Sequence, residues 1–219
     1  MKLLLVRHAE SQGNAERRLQ GRREFPLTER GVEQAQALAS RFATTPVTAI
    51  YASPINRSLH TAEVIAAKTG LEVITEPRVQ EYDFGDALSG LTGQEIGEKK
   101  PELVTALTTN KLEFPSYPGE EGRVAFRDRV CDALREIAST HRHDEGVVVA
   151  THAGPIIVFV LETLGRTYNR PIPFTIDNAS ITTIECNHKS ARGVPEMVVI
   201  GLNDTCHLAH VQAKVWQET

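Results

Sequence analysis

Apolar residues in this chain come in short unbroken runs, and several runs end on an abrupt polar switch. Leu3, Leu4, Leu5 and Val6 form the first. Four consecutive apolar side chains predict a strand buried on both faces, as in a parallel sheet covered by helices. The polarity then changes at once to Arg7 and His8. Residues 146–151 (Gly-Val-Val-Val-Ala-Thr) repeat the pattern and deliver His152, followed by Ala153, Gly154 and Pro155. Further strands are predicted over 48–52, 71–75, 180–186 and 197–202.

Between these runs the apolar spacing lengthens to that of a helix. Val32, Ala35, Leu38, Ala39 and Phe42 share one face of a helix that Thr28 is placed to cap. Ile55, Leu59, Ala62 and Ala66 share a face of another, with Ser53 predicted as its cap, Pro54 at its first position and Arg57 in its first turn. Phe126, Val130, Ala133, Leu134 and Ile137 mark a long amphipathic helix, and residues 156–161 are apolar nearly all round, as in a buried one. Residues 12–25 read as a loop, and the null expectation for Arg17, Arg18, Arg22 and Arg23 within it is a solvated face. Residues 94–118 read as a small helical cap. The tail from 203 reads as laid over the surface, with His207 and His210 solvated rather than catalytic.

Candidate chemistry gathers at the switches. If the strands ending at Val6 and Thr151 run parallel in one sheet, His8 and His152 emerge at the same edge. Ligands bind in α/β sheets beyond the carboxyl ends of the strands. Arg7 joins them there, and Arg57 arrives on a helix N-terminus that itself favours anions. Taken singly, a histidine at a strand end or an arginine on a helix is ordinary structure. Two histidines and two arginines from three junctions suit an anionic ligand, above all phosphate.

Composition narrows this further. The chain has 219 residues, enough for one large α/β domain or two small ones, with 24 Lys and Arg against 28 Asp and Glu and a net charge of −4. With no clustered basic stripe, nucleic acid is not the expected partner. No run approaches the ~20 apolar residues of a membrane span, and the first run is too short for a signal-peptide core. Cys131, Cys186 and Cys206 are sparse and widely spaced, which fits a reducing compartment. The expectation is a cytoplasmic protein without membrane association. His141 and His143 lie in a polar turn with no third ligand nearby, so a metal site is not expected there.

Four ordered segments carry a family resemblance: Arg7-His8-Ala9-Glu10, residues 53–62 with Arg57, Gln80-Glu81-Tyr82-Asp83-Phe84-Gly85, and Thr151-His152-Ala153-Gly154. They resemble the histidine phosphatase superfamily, also called phosphoglycerate mutase-like, and residues 26–31 and 203–208 extend the likeness over nearly the whole chain. The resemblance implies an α/β three-layer sandwich with a mostly parallel central sheet flanked by helices. It implies a single domain over 1–219, with a cap insertion at roughly 86–122 that sets substrate choice. It further implies that His8 is a nucleophile forming a phosphohistidine and that Glu81 is the general acid and base, with Asp83 as competitor. Arg7, Arg57 and His152 would hold the phosphate, helped by Asn14, Gln20, Gly21 and the backbone N–H of Ala153. Neither cofactor nor metal is required, because the arginines neutralise the charge.

Two departures stand out. Ala9 replaces the family's usual glycine, a methyl beside the nucleophile that is expected to be tolerated because it removes no catalytic atom, and residues 85–92 lack the family's tryptophan and run one residue longer. The leading expectation is a phosphatase of a small phosphomonoester of sugar or glycolytic type. A bisphosphoglycerate-dependent mutase is the alternative, and Tyr82 and Asp83 after Glu81, where family mutases carry an arginine, count against it. A non-catalytic phosphate-binding module is the third. A homodimer through a sheet edge or an exposed helix is compatible with the sequence.

Overall fold

The computed structural model describes residues 1–109, 116–168, 172–187 and 196–211. The chain begins with strand β1 (Lys2–Arg7), a short helix α1 (Gln12–Ala15), helix α2 (Glu29–Phe42), β2 (Ala49–Ala52) and α3 (Asn56–Thr69). Strand β3 (Val73–Thr75) leads through a 3₁₀ turn at Pro77–Val79 into three short helices, α4 (Gly85–Leu88), α5 (Gly93–Lys99) and α6 (Pro101–Thr109). Helix α7 (Arg123–Thr140), β4 (Gly146–Thr151), α8 (Ala153–Thr163), β5 (Ile181–Cys186) and β6 (Met197–Asp204) follow.

The strands form one sheet in the order β3-β2-β4-β1-β5-β6. The pairs β3–β2, β2–β4 and β4–β1 are parallel, and β5 runs antiparallel to both of its neighbours. The mostly parallel sheet flanked by helices is the architecture expected. Leu3, Leu5, Val147 and Val149 pack on one face against residues of α7 and α8. Leu4, Val6, Val148 and Ala150 pack on the other against α2 and α3. Successive strand residues point to opposite faces, so a strand covered on both sides needs an unbroken apolar run. That double cover makes the sheet's interior rigid, and its carboxyl edge the place where polar groups can emerge.

Several local expectations need correction. The helix that carries Arg57 is not capped by Ser53: it starts at Asn56 after Ile55, and the hydroxyl of Ser53 is used elsewhere. β3 is two residues shorter than 71–75. The 12–25 loop contains α1, held by a capping box in which Ser11 and Asn14 satisfy each other's backbone N–H groups. Its arginines are not all a solvated face. Arg18 reaches the Gly90 carbonyl at 2.8 Å and Glu95 at 3.2 Å, while Arg22 reaches Glu121 at 3.0 Å. These contacts join the loop to the cap and to the entry of α7. Residues 85–92 lie along the same loop, Gly90 N–H donating to the Leu19 carbonyl at 2.7 Å and Leu19 N–H to that of Leu91 at 2.8 Å.

Ala9 does not narrow the site. It is fully buried in the apolar cluster between the sheet and α2 and α3, so its methyl fills core. His207 is half-buried rather than solvated, with Nε2 2.9 Å from the Ala179 carbonyl. His141 is engaged by Glu145 and Tyr51, and the described residues contain no cluster suited to a metal ion. Part of the expected cap, residues 110–115, and the tail beyond 211 lie outside the described residues. No described helix is long and apolar enough to cross a membrane.

Candidate active site

The parallel register places Arg7 opposite Thr151, so the next residue of each strand, His8 and His152, leaves the sheet beside the other. Their rings sit 5.2 Å apart, centre to centre, and both are buried. Backbone bonds hold the turn after β1: His8 N–H donates to the Thr151 carbonyl at 2.8 Å, and Ala9 N–H to Thr61 Oγ1 on α3 at 3.1 Å. On the α2 side the packing is closer still. A side chain at Gly31 would begin 2.0 Å from the Glu10 carbonyl oxygen, so only glycine lets the helix approach this turn.

The two nitrogens of His8 have different partners. Nδ1 lies 2.7 Å from the carbonyl oxygen of Ala9, an acceptor only, so Nδ1 carries the proton. Nε2 then keeps its lone pair, and Arg57 Nε–H donates to it at 3.2 Å. Burial, followed by the nearby charges of Arg57 and Arg7, lowers the pKa of His8 well below 6.5. His8 is therefore a neutral imidazole with one lone pair facing the site.

Arg57 is almost wholly buried, and its other nitrogens donate to the carbonyls of Arg23 at 2.8 Å and Gly21 at 2.7 Å. Burial lowers its pKa to about 10, which leaves it charged at neutral pH. Arg7 donates from NH1 to the Ile176 carbonyl at 2.5 Å, while its Nε is buried without an acceptor. His152 has Nε2 2.8 Å from Ser53 Oγ, and its Nδ1 is likewise buried without a partner. Ile55 N–H approaches the same Ser53 oxygen at 3.4 Å, and that hydroxyl has both a proton to donate to His152 Nε2 and a lone pair to accept from it. With the hydroxyl donating, the ring proton of His152 sits on Nδ1.

Buried donors without acceptors cost about 1–3 kcal/mol each. An anion accepting from Arg7 Nε would satisfy it, and the tautomer of His152 protonated on Nδ1 offers a second such donor. Asn14 fits the same arrangement. Its Oδ1 accepts from Ser11 N–H at 3.1 Å and from Asn178 at 3.1 Å, so its amino group is the end left for a ligand. Gln20 is buried, with Oε1 2.8 Å from Ser11 Oγ, and Gly21 acts through the carbonyl that anchors Arg57.

Glu81 sits at the start of α8. Its carboxylate accepts from Tyr82 N–H at 2.9 Å and from Gly154 N–H at 3.2 Å. A side chain at Gly154 would begin 2.1 Å from Glu81 Oε1, so glycine is required for this approach. Asp83, the competing carboxylate, is turned away: it accepts from Gly85 N–H at 2.8 Å and faces Arg22 at 3.5 Å. The segment leading to Glu81 is held by Arg129 of α7. Arg129 donates to the carbonyls of Arg78 at 2.6 Å, Gln80 at 2.9 Å and Glu81 at 3.0 Å, while pairing with Glu121 and stacking 4.9 Å from the centre of the Phe126 ring.

Sequence reasoning named eight residues that this geometry brings together: Arg7, His8, Asn14, Gln20, Gly21, Arg57, Glu81 and His152. Ala153 opens α8 directly after His152. Ser53, Gly154, Asn178 and Arg129 were missed as functional supports. Ser53 was read as a cap because Ser-Pro is a common helix start. Arg129 carries no local signal for this role, since the carbonyls it holds lie about fifty residues earlier in the chain.

The model of the histidine phosphatase superfamily (branch 1) matches residues 3–194. The chain is 36% identical over 210 residues to phosphoserine phosphatase 1 of Hydrogenobacter thermophilus, covering 95% of this chain and 94% of that protein. It is 40% identical over 189 residues to a probable phosphoglycerate mutase of Enterobacter sp., covering 84% and 85%. Among solved structures, Bacillus stearothermophilus YhfR aligns with a TM-score of 0.83 at 26% identity, covering 94% of this chain and 98% of that one. The chain belongs to the histidine phosphatase superfamily. It is an enzyme of that family, with its phosphatase activity.

Proposed function

We propose that this chain hydrolyses a small phosphomonoester in two steps through a phosphohistidine on Nε2 of His8, with Glu81 as general acid and then base. One observation carries the reading: His8 is neutral, its Nδ1 proton is committed to the Ala9 carbonyl, and its Nε2 lone pair faces two arginines. In the first step Nε2 forms the N–P bond as the P–O bond to the leaving alcohol breaks. Glu81, as general acid, gives a proton to the departing oxygen. In the second step Glu81 takes a proton from water, the water oxygen bonds to phosphorus, and the N–P bond breaks to release inorganic phosphate.

Phosphoryl transfer depends mainly on positioning and charge stabilisation. Arg7, Arg57 and His152 supply donors to the equatorial oxygens, with Asn14 and the N–H groups at the start of α8 beside them. Arg57 Nε, 3.2 Å from His8 Nε2, exchanges that long contact for a phosphoryl oxygen as the lone pair turns to phosphorus. The name of the Hydrogenobacter relative places phosphoserine in the first panel of substrates, beside sugar and glycolytic phosphates.

The test is phosphate release from that panel without added metal, with a rapid alkaline quench to trap the intermediate for mass spectrometry. Wild type should release phosphate and carry a phosphoryl group on His8. His8→Ala should lose turnover by about 10⁴-fold or more and carry none. The mutase reading draws on the Enterobacter relative, so 3-phosphoglycerate with a bisphosphoglycerate primer belongs in the same assay. Isomerisation with little free phosphate would replace the phosphatase reading.

A further inference from the structure

We propose that the phosphomonoester accepted here carries an apolar body, a single ring or a short alkyl chain, on its leaving alcohol, and that this body sits in the cavity beneath the cap. The proposal rests on the phosphomonoesterase reading above and narrows its substrate class. The cavity measures about 310 Å³. Its walls include four aromatic residues, Tyr82, Phe84, Tyr117 and Tyr168, with Leu103 of α6 among the aliphatic ones. Arg123 and Glu120 are the charged residues of its lining.

The tyrosine hydroxyls at two of these positions are already used by the protein. Tyr82 OH donates to Glu120 at 2.6 Å and accepts from Gly122 N–H at 3.2 Å, and Tyr117 OH donates to the Phe84 carbonyl at 3.1 Å. With those hydroxyls spent, Tyr82 and Tyr117 offer the cavity ring faces, and Glu120 is already the acceptor of one of them, which leaves Arg123 as the charged group of the lining. A polyol would give up hydration against these rings with little in return. An apolar body gains by the same transfer.

Continuity with the reacting atoms sets which part of the substrate lies here. Tyr82 N–H holds Oε1 of Glu81, and Phe84 follows two residues later. A methyl placed at Gly21, whose carbonyl anchors Arg57, would lie 3.1 Å from the Phe84 ring and 3.2 Å from the Tyr82 carbonyl. The cavity wall and the catalytic groups therefore share segments 19–21 and 81–84. Glu81 must reach the leaving oxygen, so whatever that oxygen carries continues past Glu81 towards Tyr82 and Phe84. A cavity of this size lies at the small end of ligand pockets, which limits the body to one ring or a short chain.

Phosphonates, which have no ester bond to break, test the seat separately from the chemistry. Calorimetry should show methyl-, propyl-, butyl- and benzylphosphonate binding progressively more tightly, by about fourfold for each buried methylene. Leu103→Asp should remove the gain of benzyl- over methylphosphonate while methylphosphonate binds as to wild type, which also shows that the variant is folded. Benzyl phosphate should then have a higher kcat/KM than phosphoserine or glycerol 3-phosphate. Flat binding across the series, or a benzyl advantage that survives Leu103→Asp, would overturn the apolar seat. Graded binding without hydrolysis of any ester would uphold the seat and overturn the phosphomonoesterase reading instead.

Discussion

The carboxyl ends of β1 and β4 and the underside of the cap are joined along the chain by the segment from Glu81 to Phe84, and they are built in opposite ways. At the strand ends polar groups are buried and held by several partners, as Arg57 is held by two backbone carbonyls and His8 by its own backbone. Beneath the cap the surfaces are aromatic and aliphatic, and the polar tips of Tyr82 and Tyr117 are engaged elsewhere. The supports differ too. The phosphate end stands on strands buried on both faces, whereas α5 of the cap buries none of its residues. Fixed charge stabilisation needs rigidity, because donors that must reorganise during the reaction lose their advantage. Apolar recognition tolerates looser walls, since it is non-directional and scales with area. On the two proposals above, each kind of recognition stands on the scaffold that suits it.

Glu81→Gln would break the link between the two regions most severely. Loss of the general acid should lower kcat on alkyl phosphates by about 10²–10⁴-fold and much less on 4-nitrophenyl phosphate, whose leaving group needs no proton. Equal losses on the two esters, measured side by side, would take the acid role from Glu81.

Arg129→Met sharpens the comparison, because Arg129 lies outside the cavity lining yet holds the segment that joins the two regions. We expect kcat on alkyl phosphates to fall about tenfold with KM little changed, and Arg129→Lys to recover part of the loss. Removing its bonds to three half-buried carbonyls and to Glu121 should also lower unfolding stability by about 1–3 kcal/mol, read by urea denaturation. A purely structural role would leave the ratio of alkyl to aryl rates unchanged.

The smallest expected effect is on pH-dependent stability, and it belongs to the phosphate end alone. His8 and His152 both have pKa values pushed well below 6.5 by burial and then by Arg57. Below pH 6.5 the unfolded chain binds protons at these positions that the native protein does not. Stability should therefore fall as pH drops from about 7 through 6.5 towards the lowered native values, and stay level with respect to these groups above it. Urea unfolding at pH 7.5, 6.5 and 5.5 should show this slope, and His152→Asn should reduce it. An unchanged slope in that variant would mean that His152 titrates normally.

Much of the fold was legible along the chain because its signals are local. Runs such as Leu3–Val6 and Val147–Ala150 state their double burial directly, and Thr28 does cap its helix, with Oγ1 accepting from Gly31 N–H at 2.9 Å. The site was legible only in part. His8 and His152 could be placed together because parallel pairing of two similar strands is one simple hypothesis. The supports were not, for each answers to a surface formed by distant chain. Ser53 looks like a cap until His152 is packed beside it, and the reason Ala9 is tolerated shows only when the core around it is seen.

The sequence by itself determined which residue types stand at the ends of the strands and which faces of the helices are apolar. Those follow from side-chain period and local backbone preference, which act within a few residues. Only the tertiary structure decided the proton position on His8, the lowered pKa values, the clasp of Arg129 on the Glu81 segment and the apolar character of the space under the cap. Each depends on burial and on contacts between segments far apart in the chain, and neither has a local code.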